Sequence, residues 1–184
     1  MPALTKTKTA KSHTIGYARG ATTYEEEMAA KGWKNRALVW LGETLDRIIR
    51  DPNAPIFPKD APLRQGNCGV VAMCMFTDRP YAAAAPILAR GRSKSWTGGT
   101  YHAQYEPCAR ELGFDVKVKP APRMTLGKFA ESTKGQKGTH FVTVRGHAVV
   151  VWDGLIFDQA FPAGATPAEH FCPNKFIDFH MVRA

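Results

Sequence analysis

The chain has 184 residues, a formal net charge of +9, 44% hydrophobic and 22% charged residues, which suits one domain able to bury about 70% of the surface its unfolded chain exposes. No stretch approaches the roughly 18 apolar residues of a membrane span, and residues 1–20 lack the apolar core of a secretory signal, so a cytoplasmic protein is expected. Cysteines 68, 74, 108 and 172 form no C-x-x-C pair and have no histidine at zinc-finger spacing, so free thiols are expected, with no metal and no cofactor.

The first element, residues 1–20, carries Lys6, Lys8, Lys11 and Arg19 with no acid and reads as a basic flexible arm. The remainder, 21–184, reads as a single domain. Basic clusters continue at "ARGRSK" (89–94) and from Lys117 to Lys137. That balance permits attraction to nucleic acid or to an acidic protein or peptide. No helix-turn-helix, zinc-finger or aromatic RNA-binding signature accompanies it, and solvated surface charge is the simpler account.

Helices are expected next. "TTYEEEMAAKGWKNRALVWLGETLDRIIRDP" has Thr22 or Thr23 as a cap, acids in the first turn and an apolar stripe ending before Pro52. "DPNAPIFPKDAPLRQGN" has four prolines and reads as an irregular connector. "CGVVAMCMF" is apolar all round, which predicts a helix buried on every side. "YAAAAPILARG" is a short helix kinked or broken at Pro86, "SKSWTGGTYH" a loop, and "AQYEPCARELGF" an amphipathic helix closed by Gly113. "DVKVKP" alternates as a strand, and "MTLGKFAESTKG" is a further short helix.

Three extended runs follow, "THFVTVR", "HAVVVW" and "LIFDQAF", joined by "RG" and by "DG", the latter a strong hairpin signal. "FIDFHMVRA" closes the chain as a last strand. Helices first and an antiparallel meander second make an α+β pattern.

A two-residue turn at Asp153-Gly154 sets Trp152 opposite Leu155, Val150 opposite Phe157 and Val149 opposite Asp158. His147 then shares a face with Asp158 as a diagonal pair, with Cβ atoms about 7 Å apart or somewhat less. Such a pair on an apolar strand face is either a satisfied structural contact or a base with its orienting acid. Cys68 stands between "QGN" and the buried helix, as a small core residue or as a nucleophile at a helix N-terminus, where unpaired N–H groups favour thiolate. Its own N–H, with the side chain of Gln65 or Asn67, can serve an oxyanion. His140 is the rival base, with no acid placed to orient it. His102, His170 and His180 read as surface or packing residues, and Cys74 as core. Trp96, Gly98 and Gly99 either line a substrate groove or belong to an ordinary loop.

Cys at a buried helix, then His opening a strand, then Asp on the next strand resembles the papain-like cysteine peptidase superfamily. "NCGVVAMCMF" is similar to the start of the bacteriocin-processing peptidase domains of ABC exporters, and "QGNCG" to the "DGNC" motif of ovarian-tumour deubiquitinases. "MTLGKFAESTKGQKGTHFVTVRGHAVVVWDGLIFD" resembles the C-terminal half of small phage-encoded papain-like proteins. The likeness covers about residues 63–160. It implies a papain-like α+β fold, with a buried helix carrying Cys68 against an antiparallel sheet carrying His147 and Asp158. It also implies a thiol hydrolase, peptidase or isopeptidase, working through an acyl-enzyme with Cys68 as nucleophile, His147 as base and Asp158 as orienting acid. A deamidase, transglutaminase or acyltransferase on the same triad is the alternative, as is an inactive phage protein that binds a host protein or nucleic acid. The sequence departs from the family at the oxyanion glutamine, usually about six residues before the cysteine. Pro62 stands there, and Gln65 is only three residues away.

Overall fold

The computed structural model of the chain describes residues 54–62, 66–93 and 95–183. The expected arm over 1–20, the helices between 22 and 51, and Gln65 lie outside them. Four helices and five strands follow: α1 (Cys68–Thr77), α2 (Tyr81–Leu88), α3 (His102–Glu111), β1 (Lys117–Lys119), α4 (Leu126–Thr133), β2 (Thr139–Val144), β3 (His147–Trp152), β4 (Leu155–Phe157) and β5 (Ile177–Arg183). The architecture is α+β.

Helix α1 is apolar all round because it is enclosed all round: every residue from Gly69 to Thr77 is buried. It ends at Asp78, whose left-handed φ of 49° lets its N–H return to the Cys74 carbonyl. Asp60 starts α2 from a distance, its two carboxylate oxygens accepting the N–H groups of Tyr81 and Ala82 at 2.8 Å each. Pro86 sits inside α2, which nonetheless continues to Leu88. Gly113, at φ +91°, closes α3, and the Phe114 N–H reaches back to Ala109. In α4, Leu126, Phe129, Ala130 and Thr133 are buried at the spacing of one helical face.

The strands form one antiparallel sheet in the order β1-β5-β2-β3-β4. Strands β2, β3 and β4 are the expected meander. The C-terminal strand then crosses back to pair with β2 on its other side, and β1 forms the exposed edge beyond it. At the β3–β4 hairpin Asp153 and Gly154 both have positive φ, 46° and 81°, the conformation of a two-residue type I′ turn. The register is Val150 opposite Phe157 and Trp152 opposite Leu155, as read from the sequence. The run "LIFDQAF" is a strand only to Phe157. At Asp158 the chain turns, because its Oδ1 accepts the N–H groups of Ala160 (2.8 Å) and Phe161 (2.9 Å).

Alternation across the sheet divides the interior in two. Phe141, Ala148, Val150 and Met181 pack on α1 and its neighbours, while Val142, Val149, Val151 and Ile156 pack on Leu126, Phe129 and Ala130 of α4. Among the described residues no helix is long and apolar enough to cross a membrane.

Candidate active site

Cys68 is the first residue of α1, half-buried at the helix N-terminus. Asn67, just before it, does not cap the helix with its side chain. Its amide instead donates to the Pro62 carbonyl at 2.8 Å, and the residue is fully buried. Asn67 therefore anchors the incoming connector and is turned away from the groove, which corrects its expected role as an oxyanion donor. The Asn67 carbonyl takes the N–H groups of Val70 and Val71, so the first turn is closed behind Cys68. The N–H of Cys68 makes no hydrogen bond among the described residues, and the nearby Gly69 N–H favours the thiolate.

His147 opens β3, and it lines the same groove as Cys68. Its Nε2 lies 2.7 Å from Asp158 Oδ2, so Nδ1 is the nitrogen left for the sulfur. Asp158 is 1% exposed. Burial alone would raise its pKa, but hydrogen bonds from His147 and His170 hold it well below the usual carboxylate range. Burial alone would likewise lower His147, yet its bond to Asp158 and the neighbouring Cys68 thiol carry it up to about 9. For Cys68 burial pushes the thiol up, while the neighbouring His147, aided by the N–H groups of Ala148 and Gly69, brings it below its ordinary value. Burial drives the other three cysteines the opposite way, with Cys108 at about 12, Cys172 at about 11 and Cys74 higher still. Only Cys68 is electrostatically prepared to be a thiolate.

His170, expected to be a packing residue, belongs to this chain of contacts. Its side chain is 0% exposed and its Nε2 lies 3.1 Å from the same Asp158 Oδ2. Its Nδ1 accepts the Cys172 N–H at 3.3 Å, so the ring's proton sits on Nε2. His147, Asp158 and His170 bring three ligand-type atoms within 4.8 Å of one another. A metal on His170 Nε2 would have to displace the proton that the Cys172 contact places there. The donor set reads as a hydrogen-bond chain rather than a metal centre.

Cys68 and His147 open on a groove of about 610 Å³ that is also lined by Gly66, Gly99, Thr100, Tyr101 and His102. Of the three expected groove residues, Gly99 lines it. Trp96 secures the loop by donating from Nε1 to the Gly99 carbonyl at 2.7 Å. Gly98, at φ +114°, lies on Asn67, where an added Cβ would come within 2.6 Å of the Asn67 Cβ. Gly69 makes a second close approach, since a Cβ there would overlap the Thr100 hydroxyl and lie 2.8 Å from the Tyr105 oxygen. Thr100 and Tyr105 share a hydrogen bond of 2.7 Å, and burial pushes Tyr105 up to about 12, so its hydroxyl stays protonated. On the far wall Thr143 donates to Asp178. That leaves the Thr143 oxygen to accept from His102 Nε2 at 2.9 Å.

The structure therefore brings Cys68, His147 and Asp158 together, with Gly99 beside them, and keeps His140 apart. His140 is paired with His180, Nδ1 to Nε2 at 3.0 Å, beneath Phe129 of α4. His170 carried no sequence signal, because it lies in an irregular loop without periodicity. No protein-family model, curated protein or solved structure matches the chain.

Proposed function

We propose that the chain is a cysteine hydrolase of the papain-like kind, acting on peptide or isopeptide amides. The observation that carries this reading is the placing of Cys68 and His147 on one open groove, with His147 held from behind by Asp158 at 2.7 Å. Cys68 Sγ attacks the substrate carbonyl carbon, and the carbonyl electron pair moves to oxygen. The Cys68 N–H at the start of α1 serves that oxygen as a donor. The amine leaves with the proton of His147, and the ring then takes a proton from the water that resolves the thioester. Asp158, charged throughout, stabilises the imidazolium. Chain order and layering support the papain-like reading: the Cys-bearing helix precedes and packs on an antiparallel sheet whose strand β3 supplies the base, with the acid in the turn just past β4.

The test is digestion of a proteome-derived peptide library by the full chain, read by mass spectrometry, beside the Cys68→Ala variant. Cleavage products that vanish with the thiol are expected. Equal cleavage by Cys68→Ala would end the proposal. Deamidated or cross-linked products in place of cleavage would move the same triad to a transferase or deamidase.

A further inference from the structure

Asp158 receives four N–H groups: Ala160 and Phe161 at Oδ1, and His147 and His170 at Oδ2. Three of these are what an orienting acid in a tight turn needs. The fourth has no part in the hydrolytic scheme, yet it is the most enclosed, on a side chain that is 0% exposed. A histidine buried to that degree must satisfy both ring nitrogens. His170 does so with one backbone N–H behind it and the carboxylate in front. Phe171 stacks on the ring at a centroid distance of 4.6 Å and Phe161 lies at 5.3 Å. The His170 plane is within 29° of the His147 plane, so the two rings reach one oxygen side by side.

We propose that His170 is a positioning residue for the reacting pair, acting through Asp158. By occupying one side of Oδ2, it leaves a single direction from which His147 can bond. That direction is the one that presents Nδ1 of His147 to Cys68. An apolar residue at 170 would leave a lone pair of a buried carboxylate unsatisfied, and the group would turn or admit water to recover a partner. Either movement loosens the hold on the imidazolium. The catalytic consequence rests on the reading of Cys68 as a nucleophile, whereas the structural coupling does not.

The experiment follows the His147 imidazole by NMR titration in the full-length wild type, His170→Phe and His170→Gln. Phenylalanine keeps the ring stacking but removes the donor, and glutamine keeps an N–H. Expected is a fall of His147's midpoint by about one pH unit or more in His170→Phe, a tenfold loss of proton affinity, with at least half recovered in His170→Gln. A midpoint unchanged or raised in folded His170→Phe overturns the proposal, because a merely structural histidine would alter melting alone. Should His170→Phe not fold, the wild type itself decides through the nitrogen shifts of His170. A proton on Nε2 is expected, and a proton on Nδ1 overturns the assignment. Loss of the hydrolase reading would appear separately, as product formation indifferent to Cys68→Ala.

Discussion

Nε2 of His147 and Nε2 of His170 point at one oxygen of Asp158, from 2.7 Å and 3.1 Å. Asp158 is thus an acceptor on every side, and this decides what may replace it.

Asp158→Asn would introduce an NH2 group that has no place to go. Turned one way it meets His147 and His170; turned the other it meets the N–H groups of Ala160 and Phe161. Activity is expected to fall by about 10⁴, the scale seen when an orienting acid becomes an amide. Stability should fall by roughly 2 kcal/mol as buried donors lose their acceptor. Turnover within tenfold of wild type would show that the charge of Asp158 is dispensable.

The electrostatics of the pair set a pH profile. Alkylation of Cys68 by iodoacetamide is expected to be fast at pH 7, where an ordinary thiol is only a few per cent thiolate. Hydrolysis should decline as pH rises through about 9, where His147 gives up the proton the leaving amine needs. The stabilising contribution of His147 has the same sign: its folded pKa is raised, so the contribution is whole below about 6.5 and lost through about 9. An alkylation rate that climbs only above pH 8 would contradict the ion pair.

The second histidine pair makes the fold acid-sensitive. Burial, with Lys119 nearby, lowers His140 from 6.5 to about 4; burial, His140 and Lys119 do the same to His180. These groups are neutral when folded and gain protons more readily when unfolded. Stability is therefore full above about pH 6.5 and falls as pH drops towards about 4. The loss, on the order of 3 kcal/mol if one ring of the pair titrates, would be read as a lower urea midpoint. Titration of both rings near 6.5 by NMR would refute it.

Gly69→Ala sets helix propensity against space. Alanine in a helix gains up to about 1 kcal/mol over glycine. Its methyl would overlap the Thr100 hydroxyl and crowd Tyr105, and overpacking of that kind costs about 1–3 kcal/mol. The clash should win. A lower melting temperature and slower Cys68 alkylation are expected, since the 96–100 loop must retreat from the groove. A variant as stable and as reactive as wild type would mean that the loop yields freely.

Much of the site's frame was legible because it is local. The buried helix behind Cys68 follows from "CGVVAMCMF" having no polar face to offer water. The His147–Asp158 pairing follows from a two-residue turn at "DG", which sets the register of β3 on β4 and hence the face of each side chain. The same local logic misjudged Asn67. Its position before the helix suggested a side chain free for an oxyanion, but its amide is bonded to the Pro62 carbonyl, which Gln159 also reaches. It also left the groove loop open, because glycines at 98 and 99 read equally as flexibility and as close approach until Asn67 and Thr100 come against them.

What the sequence by itself determined was the order of elements, the buried helix and the hairpin that couples His147 to Asp158, since each depends on periodicity and turn chemistry within a few residues. Only the tertiary structure decided that β5 inserts beside β2, that His140 is consumed by His180, and that His170 shares Asp158 with His147. These contacts join residues 12 to 44 positions apart. No local pattern encodes them, because they arise when the sheet closes and buried polar atoms must find whichever partners the packing has brought within reach.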